Sequence, residues 1–167
     1  GEPPGEKFTF ILGEIDYSDW NADRFDSFLS NPLLGIERIE REMDSLFTKL
    51  DDLYPRYLEN RSRIDNLQAK LLQIREEKGK DASQEFYNER ITPIERQTLA
   101  IYQNLRYHAL SALSLRQYVM ARLYLFVKTR ALNTGNFEPY TKFLDVYERI
   151  LARYEESVSP LLGEKDI

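Results

Sequence analysis

Cysteine is absent from this chain of 167 residues, and histidine and tryptophan each occur once, as His108 and Trp20. Without cysteine the protein cannot form disulfides, thiolate nucleophiles or metal sites with sulfur ligands. The seven glycines are scattered along the chain, whereas a phosphate-binding loop needs several of them close together. The sequence therefore predicts no catalytic residue, no metal or cofactor site and no small-molecule substrate.

Long hydrophobic runs are also lacking. The chain contains no run of about 20 apolar residues, which is the length an α-helix needs to cross a bilayer. This favours a cytoplasmic location. The net charge of −5 disfavours general binding to nucleic acid or anionic lipid. A content of 42% hydrophobic and 31% charged residues is typical of a folded, helix-rich protein rather than a disordered chain.

Apolar residues recur at alternating spacings of three and four along residues 36–74. A period of about 3.5 residues is typical of the seam between the helices of a coiled coil. The seam positions are Ile36, Ile39, Met43, Leu46, Leu50, Leu53, Tyr57, Asn60, Ile64, Leu67, Leu71 and Ile74. The polar exception, Asn60, is predicted to fix the register and oligomeric state, as a buried polar residue does in a coiled coil. The alternative is that Asn60 is solvated or relieves a kink at Pro55.

Prolines and glycines divide the chain into helices. Pro32 suits the first position of a helix, whereas Gly79 suits the residue that follows a helix end. Pro55 and Pro93 are predicted to kink the helices that contain them. The predicted helices are about 18–29, 32–78, 82–132 and 138–157. They form one predicted helical domain, residues 18–158, between an N-terminal tail or extended segment (1–17) and a C-terminal tail (159–167).

The short connection at Gly79 predicts that the two long helices are antiparallel neighbours. The fold class that follows is all-α: a long, coiled-coil-like antiparallel helical hairpin, with a shorter third helix and a small N-terminal helix packed at its base. The half of this hairpin near Gly79 would bury little surface by itself. The sequence therefore predicts a partner for that half.

A stretch without acidic residues, 97–137, follows Arg96 and contains basic residues interleaved with tyrosines. One interpretation is a basic, aromatic surface for nucleic acid or anionic lipid. The other is that acidic residues of the first long helix face these arginines, at positions whose numbers add to about 160. The pairs predicted in this way are Arg96 with Asp65, Arg106 with Asp52, Arg116 with Asp44, and Arg122 with Glu37. We favour the ion pairs, because the arginines are scattered around the helix.

One catalytic arrangement can be drawn from His108 and Ser111. His108 lies three residues before Ser111, and Asp51 or Asp52 could approach from the other helix, which resembles a base, a nucleophile and an orienting acid. Both His108 and Ser111 would lie in mid-helix, without the glycine turn that exposes a nucleophilic hydroxyl. The sequence therefore favours a packed histidine over a catalytic one.

The function predicted from the sequence is that of a non-enzymatic structural or adaptor protein, which acts through protein–protein contacts and forms a homodimer. The predicted contact residues are Phe8, Phe10, Ile11, Tyr17, Trp20, Leu67, Leu71, Ile74 and Phe86. Residues 8–15 are predicted either to cover an apolar groove of the same chain or to add a strand to a partner's sheet. Two alternatives stay open: a peripheral membrane-surface helical module and a nucleic-acid-binding helical protein.

Overall fold

A computed structural model of the protein describes residues 31–162. Helices account for 95% of this part of the chain, and it contains no strand. The elements are α1 (Pro32–Lys78), α2 (Lys80–Phe86), a π-helical turn π1 (Tyr87–Ile91), α3 (Thr92–Ser114), a second π-helical turn π2 (Leu115–Met120), α4 (Ala121–Thr134), α5 (Glu138–Ser157) and α6 (Ser159–Leu162). The predicted helix 18–29 and the predicted contact residues Phe8 to Trp20 lie outside the described residues.

Two of the predicted helices have the bounds that the sequence indicated. Helix α1 runs from Pro32 to Lys78 and continues through Pro55, and α5 runs from Glu138 to Ser157. The predicted helix 82–132 is longer in the structure, because helical residues extend from Lys80 to Thr134. Sequence analysis did not foresee its two π-helical turns, nor the helical turn α6 at the start of the predicted C-terminal tail.

Two glycines with positive φ end the long helices. Gly79 has φ 94°, and its N–H donates to the carbonyl of Arg75 at 3.1 Å. Gly135 has φ 76°, and its N–H donates to the carbonyl of Ala131 at 2.8 Å. A residue with positive φ after a helix end can satisfy a terminal carbonyl, and glycine adopts positive φ without a steric penalty. Each helix therefore ends where its own sequence supplies a glycine.

The turn π1 lies directly before Pro93. The N–H of Thr92 donates to the carbonyl of Tyr87, five residues earlier, as in a π-helix. Proline has no N–H to donate, and its ring crowds the carbonyl four residues earlier in an α-helix. The wider turn thus replaces the α-helical hydrogen bonds just before Pro93, where the proline would interrupt an α-helix. No proline occurs near π2, and nothing in the structure explains that turn.

The described residues form two compact units. Unit A consists of residues 31–50 and 106–162, and unit B of residues 51–105. Most of the buried apolar side chains belong to unit A. The largest of these are Tyr154, Phe47, Phe143, Ile36, Ile39, Met43, Leu50, Leu115 and Met120. Within unit A, both Nε and Nη2 of Arg149 donate to the Glu40 carboxylate, at 3.0 and 2.8 Å, which joins α5 to α1.

Unit B has a much smaller core. Its buried apolar side chains are Ile64, Ile91, Ile101 and Leu105, and its buried polar side chains are Asn60, Ser83 and Thr98. Along residues 51–78 of α1, the seven seam positions are buried or half-buried, and every other residue is exposed. Two contacts join α1 to α3 here: Asn60 Nδ2 donates to Gln97 Oε1 at 3.3 Å, and the rings of Tyr57 and Tyr102 lie 5.9 Å apart.

Candidate interaction surfaces

The end of unit B near Gly79 carries the first candidate surface, which we call the tip (residues 67–90). Four predicted contact residues, Leu67, Leu71, Ile74 and Phe86, lie here, and each is half-buried. Leu72, which is not a seam position, is 63% exposed. By contrast, Asn60 and Ile64 are buried. From Asn60 toward the tip, the seam side chains thus become less covered. The seam pattern did not identify Leu72, because Leu72 lies off the seam.

The charges of the tip are balanced. Its basic residues are Lys70, Arg75, Lys78, Lys80 and Arg90, and its acidic residues are Glu76, Glu77, Asp81, Glu85 and Glu89. The Arg90 guanidinium lies 5.7 Å from the centre of the Phe86 ring, within the range of a cation–π contact. Interspersed charges of both signs around a few apolar side chains suit a protein surface better than a polyanion or an anionic lipid.

A groove opens along one side of unit B. Its volume is about 450 Å³, and it lies between α1 and the π1–α3 segment. Residues that line it include Tyr57, Ile64, Tyr87, Leu99 and Tyr102. A hydrogen bond to the Glu95 carboxylate raises the pKa of Tyr87, with a smaller contribution from burial. The groove therefore offers apolar faces, together with a protonated tyrosine hydroxyl that is already bonded to the Glu95 carboxylate.

The candidate His108–Ser111 pair is not arranged for nucleophilic catalysis. Ser111 is fully buried in α3, and its Oγ has no hydrogen-bond partner among residues 31–162. The Nδ1 atom of His108 is likewise buried, with no partner in the same part of the chain. The His108 ring packs at 5.0 Å from that of Tyr107. The structure therefore provides none of the hydrogen bonds through which a base would activate this hydroxyl.

His108 is expected to make the stability of the protein depend on pH below neutrality. Burial, together with the nearby charge of Lys49, lowers the pKa of His108 below its ordinary value of 6.5. In the unfolded chain the imidazole takes up its proton near pH 6.5, while the folded protein still resists protonation, so the unfolded state binds more protons there. We expect His108 to leave the free energy of unfolding unchanged above that pH and to lower it as the pH drops below it.

Urea unfolding at about pH 7.5 and about pH 5.5 measures this effect, because histidine is the side chain that ordinarily titrates in that interval. The control is His108→Gln, which keeps a polar side chain and cannot take up a proton. If the variant loses as much stability as the parent between the two pH values, His108 is not the source of the dependence.

Unit A carries the second candidate surface, an apolar stripe made of Tyr118, Leu125 and Leu132. Their side chains are 41%, 62% and 68% exposed. Because residues seven apart lie on nearly the same face of a helix, the three side chains follow one line along π2 and α4. The sequence did not indicate this stripe, because the prediction relied on spacings of three and four and these residues are seven apart.

Cavities flank this stripe on both sides, and Leu125 lines each of them. One, of about 700 Å³, is also lined by Met120, Tyr124, Leu144 and Tyr147. The other, of about 550 Å³, lies along the last turns of α4. Its lining residues are Leu125, Phe126, Thr129, Arg130, Asn133 and Thr134. The stripe is therefore the ridge between two concave, largely apolar surfaces of unit A.

The charged residues of α4, which carries Leu125 and Leu132, are all basic. Helix α4 contains Arg122, Lys128 and Arg130, each exposed, and no acidic residue. Lys128 Nζ lies 5.6 Å from the centre of the Tyr124 ring. Of the arginines predicted to form ion pairs with α1, Arg116 lies over the Tyr154 ring, with its Cζ 4.7 Å from the ring centre. Asp52, a predicted partner of Arg106, accepts a hydrogen bond from Arg56 at 3.3 Å.

No group of three or more histidine, aspartate or glutamate side chains within residues 31–162 is placed to hold a metal ion. None of the helices described there is both long and apolar enough to cross a bilayer. Comparison with known proteins gives no assignment: no protein-family model, no curated protein and no solved structure matches this chain.

Proposed function

We propose that the protein is a non-enzymatic structural or adaptor component, which associates with a second copy of itself through the tip. The observation that carries the proposal is the incomplete cover of the seam at Leu67, Leu71 and Ile74, beside the exposed Leu72. In the proposed architecture, α1 and the helices after Gly79 form an antiparallel, coiled-coil-like hairpin, and the tips of two hairpins pack together.

The small core of unit B supports this proposal. Its 55 residues bury four apolar side chains, whereas units below about 70–80 residues rarely gain enough stability from their own core. Oligomerisation is one of the usual means by which such a unit becomes stable. Burying about 100 Å² more of Leu72 and its neighbours would contribute about 2–3 kcal/mol at 25 cal/mol per Å².

The charges of the tip favour a second copy of this chain as its binding partner. In a two-fold symmetric dimer the same patch meets itself, so the patch must be complementary to itself. A tip with five basic and five acidic residues meets this requirement. A strongly basic or strongly acidic patch would repel its copy.

Light scattering on a gel-filtration column tests the proposal. We expect a mass near twice 19.8 kDa for the parent protein. Replacing the exposed leucine of the tip, Leu72→Asp, should give a monomer with unchanged helix content, because a buried charge without a partner opposes association. The matched control is Leu58→Asp, the same substitution two heptads earlier on the same helix, at a side chain that is 49% exposed.

Three outcomes would overturn the proposal. A monomeric parent at every concentration would remove self-association. A dimer that survives Leu72→Asp would place the interface elsewhere. If Leu58→Asp abolishes the dimer equally, the effect of Leu72→Asp is not specific to the tip. Pelleting of the parent protein with anionic vesicles would favour the membrane-surface alternative instead.

A further inference from the structure

We infer that residues 8–29 of the same chain dock on the apolar stripe of unit A, beside the exposed cations of α4. The stripe and its two flanking cavities form a surface that residues 31–162 leave uncovered. This inference is independent of the dimer proposed above, which uses the tip of unit B.

The position of the chain is the first argument. Asn31, the first described residue, belongs to unit A, so residues 8–29 are tethered to the unit that carries the stripe. Lys49 lies close enough to His108 to lower its pKa. In the antiparallel arrangement proposed above, Asn31 then lies near Leu125 and Phe126. Since an extended chain spans about 3.3 Å per residue, even a short part of the segment reaches the whole stripe.

The composition of the segment is the second argument. A surface ridge between two apolar cavities needs apolar side chains of several sizes to cover it. The apolar residues that the segment supplies are Phe8, Phe10, Ile11, Leu12, Ile15, Tyr17, Trp20, Phe25, Phe28 and Leu29. Left in water, so many aromatic and branched side chains would expose a large apolar area at a cost of about 25 cal/mol per Å².

Charge complementarity is the third argument, and it selects this segment over a second copy. Residues 1–30 contain seven acidic and two basic residues, a net charge of −5 that equals the net charge of the entire chain. The remaining residues are thus neutral overall. Helix α4 carries three basic residues and no acidic one. A stripe that met the stripe of another copy would bring like charges together, whereas the N-terminal segment brings opposite ones.

Trp20 makes the inference testable in the full-length chain, because it is the only tryptophan. The chain also lacks cysteine, so a single introduced cysteine carries a nitroxide label at one known place. We expect a label at Thr129→Cys, on the wall of the cavity beside Leu125, to quench most of the Trp20 fluorescence. The matched control is Ser62→Cys, an exposed position in unit B, where the label should leave the fluorescence unchanged.

A second measurement uses unlabelled variants. In the parent protein, the emission maximum of Trp20 should lie at a shorter wavelength in buffer than in urea. The substitution Leu125→Asp should shift this maximum toward the value in urea. Leu58→Asp, at an exposed leucine of unit B, should not. Circular dichroism on each variant verifies that the helices persist, as we expect because both leucines are exposed.

Several results would overturn the inference. One is a Trp20 emission that is identical in buffer and in urea. Another is equal quenching, or none, from the two labels. A mixture of labelled Trp20→Phe chains with unlabelled parent chains distinguishes the copies: quenching in that mixture would mean that the segment docks on a neighbouring molecule.

Discussion

Deleting Gln117 is expected to leave the protein folded, while deleting Asn104 is expected to unfold it or to cost several kcal/mol. Both are exposed amide residues of the same long helical stretch. Gln117 lies in π2, where one turn holds an extra residue relative to an α-helix. Removing Gln117 converts the π-helical turn into an α-helical turn. The helices on either side then bury the same side chains as before.

Asn104 lies in regular α-helix, within α3. Each α-helical residue turns the chain by about 100°, so its loss rotates everything after it relative to everything before it. Leu105, Ala109 and Ala112, all buried, would leave the face that they share with Ile101. A large buried side chain lost from a core costs about 2–5 kcal/mol, and here several are displaced together.

Urea unfolding of the two deletion variants measures the difference. We expect the Gln117 deletion to change the free energy of unfolding by about 1 kcal/mol or less, within the range of ordinary surface changes. If the two deletions lower the free energy of unfolding equally, the position of the deletion in the helix does not matter. In that case π2 does not hold an inserted residue.

Replacing Phe143 with alanine is expected to destabilise the protein by about 3–5 kcal/mol, the usual cost of removing a buried phenyl ring. Phe143 is completely buried in α5. Its ring centre lies 5.6 Å from that of Tyr147, in a stacked arrangement, and 6.1 Å from that of Tyr124 on α4. The substitution removes both contacts and leaves a cavity between two helices of unit A.

The control for this prediction is Phe137→Ala, six residues earlier at the start of α5. Phe137 is 48% exposed, so the same change should cost less than about 1 kcal/mol. Thermal unfolding followed by circular dichroism should show a midpoint lowered by about 10 °C for Phe143→Ala, at 2–4 °C per kcal/mol. Equal shifts for the two variants would mean that packing at Phe143 does not stabilise unit A.

The helix ends and the seam were predictable because each depends on local chemistry. Pro32 and Gly79 bound α1, and Gly135 ends α4, since proline suits a first turn and glycine suits positive φ. Along residues 51–78 the 3,4 spacing anticipated which side chains are covered, down to the half-buried Leu67 and Leu71, but it did not include Phe47, which is fully buried nearer the start of α1. These features need no knowledge of distant residues.

The π-helical turns and the apolar stripe were not predicted, for two different reasons. A π turn replaces one set of backbone hydrogen bonds by another, and π2 forms where the sequence has no proline or glycine to mark it. The sequence predicts a kink at Pro93 but does not indicate the π-helical turn that ends two residues before it. The stripe was missed because Tyr118, Leu125 and Leu132 are spaced by seven, a pattern that predicts nothing until neighbouring helices are placed. The register role of Asn60 stays a prediction.

The connection at Gly79 has a consequence for the speed of folding. One residue joins α1 to α2, so contacts in unit B can form outward from the turn, each closing only a short loop. Unit A needs residues 31–50 to meet residues 106–162 across the 55 residues of unit B. The entropic cost of closing that loop is smaller when the residues inside the loop are already ordered. Early formation of unit B would therefore accelerate the collapse of unit A, although unit B contributes little to the buried core at equilibrium.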